Sequence, residues 1–225
     1  MNHTEKELER LKKDITKMWK LVLSQLQKSQ QALFHNDLKL AQEIIEQEHK
    51  VNARELKVDH HTENYIALFS PVAIDLRLAL SLIKISSSLE RVGDYALSIA
   101  HQVMDGTCKK VNPQLLEDLA LEEIYHIVIG MLSDSFVTLE SGNTKMSKRI
   151  ISRDKEVDFL YKNAVTTLTK YLEQHPDQIR CGLDMLLVLR KLERTGDQCT
   201  NIVEEIVFYM DAVVLKHKDI KDTTN

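Results

Sequence analysis

Glycine and proline are scarce in this chain: 225 residues hold only 6 Gly and 3 Pro. Few breakers, with abundant Leu, Lys, Glu and Gln, exclude a turn-rich β architecture and point to long helices. Cysteine is equally sparse. Cys108, Cys181 and Cys199 are odd in number and lack Cys-x-x-Cys spacing, so they read as free thiols of a reducing cytoplasm. No long apolar run is present; stretches such as Met185–Leu189 are too short to span a bilayer. The opening Met1–Arg10 is polar and charged, unlike a signal peptide. Charge of one sign is also lacking. The net charge is −4, and the composition suggests no basic stripe able to follow a phosphate backbone, which argues against nucleic acid as a partner.

What is present is a repetition. Leu89-Glu90-Arg91-Val92-Gly93-Asp94 returns nearly half the chain later as Leu192-Glu193-Arg194-Thr195-Gly196-Asp197. Further identities in the same register are Arg77 with Arg180, Leu80 with Leu183, and Ile99 with Ile202. An earlier segment also recurs: Ile45-x-x-Glu48-x-x-Val51-Asn52 is echoed by Ile151-x-x-Asp154-x-x-Val157-Asp158. The chain thus reads as two similar units.

Breaks and apolar periodicity predict six helices. They run from about Thr4 to Phe34, Asp37 to Ala67, Pro71 to Met104, Asn112 to Glu140, Thr144 to Glu173 and Asp177 to Lys216, with a fraying tail to Asn225. No period-two alternation competes. Short connections favour antiparallel neighbours, so each unit reads as an up-down-up three-helix bundle. The natural cut lies in the Gly106–Asn112 loop and gives units 1–108 and 109–225. The fold class is therefore all-α, two tandem antiparallel three-helix bundles.

The third and sixth helices carry matching apolar seams. Leu82, Ile85, Leu89, Val92, Ala96, Ile99 and Val103 keep three-four spacing, as do Met185, Val188, Leu192, Thr195, Cys199, Ile202 and Ile206. Glu90, Gly93 and Asp94 flank the first seam; Glu193, Gly196 and Asp197 flank the second. Residues i and i+4 share a helix face, so each unit presents a carboxylate pair at the rim of its bundle. Glu48 with Asn52, and Asp154 with Asp158, are spaced to face these pairs from the neighbouring helix. Gathered carboxylates raise one another's pKa unless a cation neutralises them, and oxygen-rich sets suit Mg, Mn, Ca or Fe(III), with Zn allowed. The competing reading is a solvated helix edge with local ion pairs. Gly93 and Gly196 weaken a helix interior by about 1 kcal/mol each. They imply a need for space, met by a ligand, a close backbone or helix packing.

The stretch Pro-Val-Ala-x-Asp-Leu-Arg from Pro71, continued by Leu-Glu-Arg-Val-Gly-Asp-Tyr-Ala-x-x-Ile-Ala to Ala100, resembles the PhoU family, and Leu192–Ile202 fits the same pattern. The resemblance covers nearly the whole chain. It implies a cytoplasmic homodimer of two three-helix bundles that negatively regulates the phosphate-starvation response. Such a protein connects the ATPase subunit of a phosphate ABC transporter to a sensor histidine kinase, reaching the membrane only through these partners. It also implies metal ions (Fe, Mn, Mg or Zn) bound through Glu48, Asn52, Glu90 and Asp94 in unit one and Asp154, Asp158, Glu193 and Asp197 in unit two. It implies no enzymatic activity. This chain departs from the family pattern at Tyr95 and Gln198, where His is frequent, at Ser98, where unit two keeps Asn201, and at Asn52 in place of Asp. Unit one is therefore expected to bind metal more weakly.

One rival reading comes from an enzyme class. Glu46-x-x-His49 and Glu123-x-x-His126 match the paired motifs of ferritin-like di-iron carboxylate oxidases. His60-His61 reads as polar helix surface, Trp19 as a packing residue, and Arg77 and Arg180 as partners of the rim acids or of an acidic protein surface.

Overall fold

The structure is a computed structural model and describes residues 3–106 and 112–215. Among these residues there are seven α-helices and no strand: α1 (His3–His35), α2 (Leu38–Phe69), α3 (Ala73–Asp105), α4 (Pro113–Asp118), α5 (Leu121–Ser141), α6 (Ser147–Gln174) and α7 (Ile179–Asp211). Helices α1, α2 and α3 pack mutually, as do α5, α6 and α7, and α3 lies along α7 to join the two bundles. The all-α tandem-bundle class is the one the sequence indicates.

Local chemistry sets the boundaries. Asp37 caps α2 by accepting from the amides of Lys39 and Leu40. Gly106 ends α3 in the left-handed region at φ 64°, a conformation that costs glycine nothing. Asn112 accepts from the Gln114 amide ahead of Pro113 at the first position of α4. Three expectations need correction. The fourth expected helix is broken into α4 and α5, because Ala120 is left-handed at φ 50° and turns the chain so that Leu115, Leu119 and Leu121 are all buried. The last helix stops at Asp211, where Ala212 adopts φ 56°, and residues 212–215 of the expected continuation are not helical; Lys216 and the tail to Asn225 lie outside the described residues. Cys181 is held in a disulfide, against the expectation of free thiols; Cys199 is free and buried, and Cys108 lies outside the described residues.

Every residue of the two expected seams is buried. Most of their side chains merge with those of α1 and α5 into one core that crosses between the bundles, while Val103 joins a small separate cluster with Ala32, Ala41, Ile44 and Ala100. Directed bonds reinforce this junction. The Trp19 indole donates to the Leu132 carbonyl at 3.1 Å, and Ser81 Oγ donates to the Glu205 carbonyl at 3.1 Å. Lys84 Nζ donates to both Glu205 carboxylate oxygens at 3.0 and 3.2 Å. Trp19, fully buried, is thus the packing residue expected, seated between the units rather than inside one.

Candidate functional site

Helix α7 sets Glu193 and Asp197 one turn apart, and α6 brings Asp154 and Asp158 against them. The close approach is made at Gly196: a β-carbon there would lie 2.6 Å from Asp154 Oδ1. The space this glycine leaves is therefore filled by a carboxylate. That oxygen is buried and has no hydrogen-bond donor; the nearby Thr200 hydroxyl is likewise unbonded, although its proximity offsets part of the effect described next. Burial first, then the charges of Asp197, Asp158 and Glu193, push the Asp154 carboxyl up to about 7. Glu193 is raised by burial and by Asp197 and Asp158, against the pull of Arg190 and Arg194. Asp197 is raised by partial desolvation and by Asp158. The four expected residues of unit two thus act on one another electrostatically.

Unit one is built differently. Partial burial, the charges of Asp94 and Glu55, and a hydrogen bond shared with Asp94 push Glu90 up to about 7, with Arg91 opposing. Glu55 is raised in turn by burial and by Asp59 and Asp94. Asp59, the next acid along α2, is raised by burial and accepts from Ser86 Oγ at 3.4 Å. Glu48 is half-buried and has no ion pair or hydrogen bond among the described residues. Asn52 Oδ1 is buried without a donor. At Gly93 the neighbours are Gln25 Oε1 and Val51 Cγ1, each 3.3 Å from a notional β-carbon. Gln25 Oε1 is also a buried acceptor with no donor. A neutral amide from α1 thus stands in unit one where the Asp154 carboxylate stands in unit two.

Two members of these groups escape the motif search. Glu55 lies two turns beyond Glu48 and three residues beyond Asn52, so helical spacing alone could have found it. Gln25 comes from a helix that the repeat does not place and leaves no sequence signal. Among the described residues no three His, Cys, Asp or Glu side chains converge closely enough, as placed, to grip an ion. The donor chemistry nonetheless suits a hard cation. Asp154 carries an orphaned anionic oxygen beside three further carboxylates, and a cation would satisfy the one and relieve the repulsion of the others.

Other expected constellations resolve plainly. Glu46, His49, Glu123 and His126 are all exposed, on different bundles. Di-iron sites need such residues projecting into a shared bundle interior, so the oxidase reading has no site here. Arg77 donates through Nε to the Tyr209 carbonyl at 3.2 Å, fixing α3 to α7 rather than pairing with the rim. His60 is surface, bridged to Asn64 at 3.1 Å. His61 is half-buried, its Nδ1 2.9 Å from Asp14 Oδ2, close but poorly aligned for a hydrogen bond. Lys57 reaches the other Asp14 oxygen at 2.9 Å. The Lys191 ammonium sits 5.2 Å from the centre of the Tyr95 ring, so the Tyr that departs from the family pattern helps tie α7 to α3.

A duplicated all-helical bundle with an acidic rim on each half defines a class of tandem-repeat helical proteins. Among the described residues, no helix is long and apolar enough to cross a membrane. The PhoU domain model matches residues 15–103 and again 121–206, and this chain belongs to the PhoU family. A phosphate-specific transport system accessory protein PhoU homolog from Aquifex aeolicus (strain VF5) is 31% identical over 96% of this chain and 97% of its own length. The protein of that system from Escherichia coli (strain K12) is 31% identical over 94% of this chain and 86% of its own. Among solved structures, PhoU from Pseudomonas aeruginosa superposes with a TM-score of 0.88 at 28% identity, covering 93% of this chain and 99% of that one. The phosphate transport system regulatory protein PhoU from Streptococcus pneumoniae gives 0.82 at 25% identity over 95% and 99%.

Proposed function

We propose that this chain is an accessory regulator of a phosphate transport system. It acts as a cytoplasmic adaptor that links the ATPase subunit of a phosphate ABC transporter to a sensor histidine kinase and restrains the phosphate-starvation response. The observation that carries this reading is the near full-length similarity, in both repeats, to proteins named as accessory to phosphate-specific transport. Regulation of this kind is a shift in binding preference, which requires different affinities for the partners' different states. No catalytic step is assigned to it. The experiment is co-purification of the tagged chain with each of the two partners from cells grown at high and at low phosphate. Association that changes with phosphate supports the reading; no association with either partner in any condition overturns it. A homodimer is part of the same proposal and is checked by sedimentation.

Metal at the acidic rims is the second element of the proposal. In unit two, Asp154, Asp158, Glu193 and Asp197 would hold the ion. In unit one, Glu55, Glu90 and Asp94 would do so, with Glu48 and the Asn52 amide oxygen as further donors. Bound there, an ion would supply charge neutralisation and exchangeable positions for a partner's oxygen ligands. The chain's own contribution is to hold anionic oxygens at a rim where solvent can exchange. The support is the unbonded Asp154 oxygen in a ring of negative charge.

A further inference from the structure

The duplicated fold generates two equivalent hollows, at the left-handed turns of Asn36 and of Gly142. One is nearly filled: about 20 Å³ remains between Leu33, Gly106 and Met185, with Leu116 of the folded-back α4 against it. The other is an open cleft of about 960 Å³ between the start of α1, the end of α5 and Tyr209 of α7. No broken helix stands over it, since α1 is a single uninterrupted helix. Its floor is formed by the almost fully buried Ile15, Leu78 and Leu82 with the more accessible Leu139, and its walls carry Lys6, Arg10, Lys12 and Lys13 against two acids, Glu9 and Glu140. Lys6, Arg10 and Lys13 continue as Lys17 and Lys20, giving exposed positive charge at four-three-four-three spacing along one face of α1. Composition alone does not reveal this basic row in a chain of net charge −4.

Four of its five cations are available. Arg10 is paired with Glu7 at 2.8 Å, and Lys12, off the row, lies 3.5 Å from Glu9. Among the described residues Lys6, Lys13, Lys17 and Lys20 make no ion pair or hydrogen bond. We propose that this cleft and row form a docking surface for an acidic amphipathic helix of a partner protein, its carboxylates set against the α1 cations and its apolar face on the cleft floor. The surface is distinct from the acidic rims and does not depend on metal there.

Three features select this occupant. One cation per helical turn over on the order of 20 Å matches carboxylates spaced one per turn on a facing helix. A nucleic acid would find a single aromatic, Tyr209, for base stacking and would bring its phosphates against Glu9 and Glu140. A free phosphate would need donors held around it, whereas the lysines here are exposed and extended into solvent.

The test is fluorescence anisotropy of the full chain with a labelled synthetic helix bearing Glu on one face at this spacing and Leu beside it. The control is a peptide of equal composition with the Glu residues scattered. Expected results are salt-sensitive binding that favours the patterned peptide, and a loss of about tenfold in affinity for Lys6→Glu/Lys13→Glu. Lys162→Glu on the exposed face of α6, and Asp197→Ala at the metal rim, should leave binding unchanged, which separates this idea from the metal reading. The melting curve of the double variant should match the parent; if reversal perturbs it, the neutral pair Lys6→Gln/Lys13→Gln carries the comparison. Equal binding of both peptides, unchanged affinity in the double variant, or tighter binding of a single-stranded oligonucleotide or inorganic polyphosphate would overturn the proposal.

Discussion

Asp154 and Gly196 show how one missing side chain shapes the chemistry of another. A carboxyl whose pKa is raised in the fold binds its proton more tightly there than in the unfolded chain. Its stabilising contribution is therefore complete below the unfolded value and is lost as pH climbs to the folded one. For Asp154 that window runs from 3.8 to about 7. Asp154→Asn should then stabilise the metal-free protein at pH 8, by on the order of 1–2 kcal/mol after allowance for screening of a partly exposed group, and have little effect at pH 4. Thermal melts at both pH values check this; equal effects would refute it. Gly196→Ala adds a methyl 2.6 Å from the Asp154 oxygen, and that short side chain must swing away. Because alanine also favours helix by about 1 kcal/mol, the fold should hold while metal affinity, read by calorimetry, falls. Asp197→Ala should likewise remove more bound metal than Asp94→Ala, because unit two sets the unbonded Asp154 carboxylate against its glycine where unit one has the neutral Gln25 amide. Metal analysis showing the reverse order would sink the claim that the rims are unequal.

At the level of elements, helical spacing made the long helices and both buried seams legible, since each rests on contacts within a few turns. It did not reveal the α4–α5 break. Ala120 carries no signal for a left-handed backbone, and its conformation is imposed by burying Leu115, Leu119 and Leu121 together. The rim acids were legible as a repeated motif, but their company was not. Glu55 was within reach of the same spacing rule. Gln25 and the disposition of Arg77 depend on which helix lies across from which, and no local pattern encodes that. The α6–α7 corner gives a contrast to Gly196. A β-carbon at Gly182 would meet three atoms at the end of the half-buried Leu172 side chain at 2.6 to 3.0 Å. Gly182→Ala should therefore cost up to about 1 kcal/mol net, the clash with Leu172 offsetting the roughly 1 kcal/mol that alanine gains in a helix, measured by denaturant titration. Leu172→Ala introduced with it should return part of the loss.

Across the whole molecule, the single tryptophan is a reporter placed where the bundles meet. Its ring is fully buried, bonded to the Leu132 carbonyl and 5.4 Å from the Phe136 ring. With one core running through both bundles, unfolding followed by Trp19 fluorescence and by helical circular dichroism should give coincident transitions. Two separated transitions would mean that the bundles unfold independently. The junction also bears on how the chain would behave if divided. Each half presents its third helix to the other, so the molecule is a quasi-dimer of related parts. For such a pair the connecting segment replaces a dissociation constant with a fixed effective concentration. Dilution cannot part the halves, and neither can exchange its counterpart for a stranger. An isolated half would carry an unmet apolar wall, and the nearest surface able to cover it would be another copy of itself.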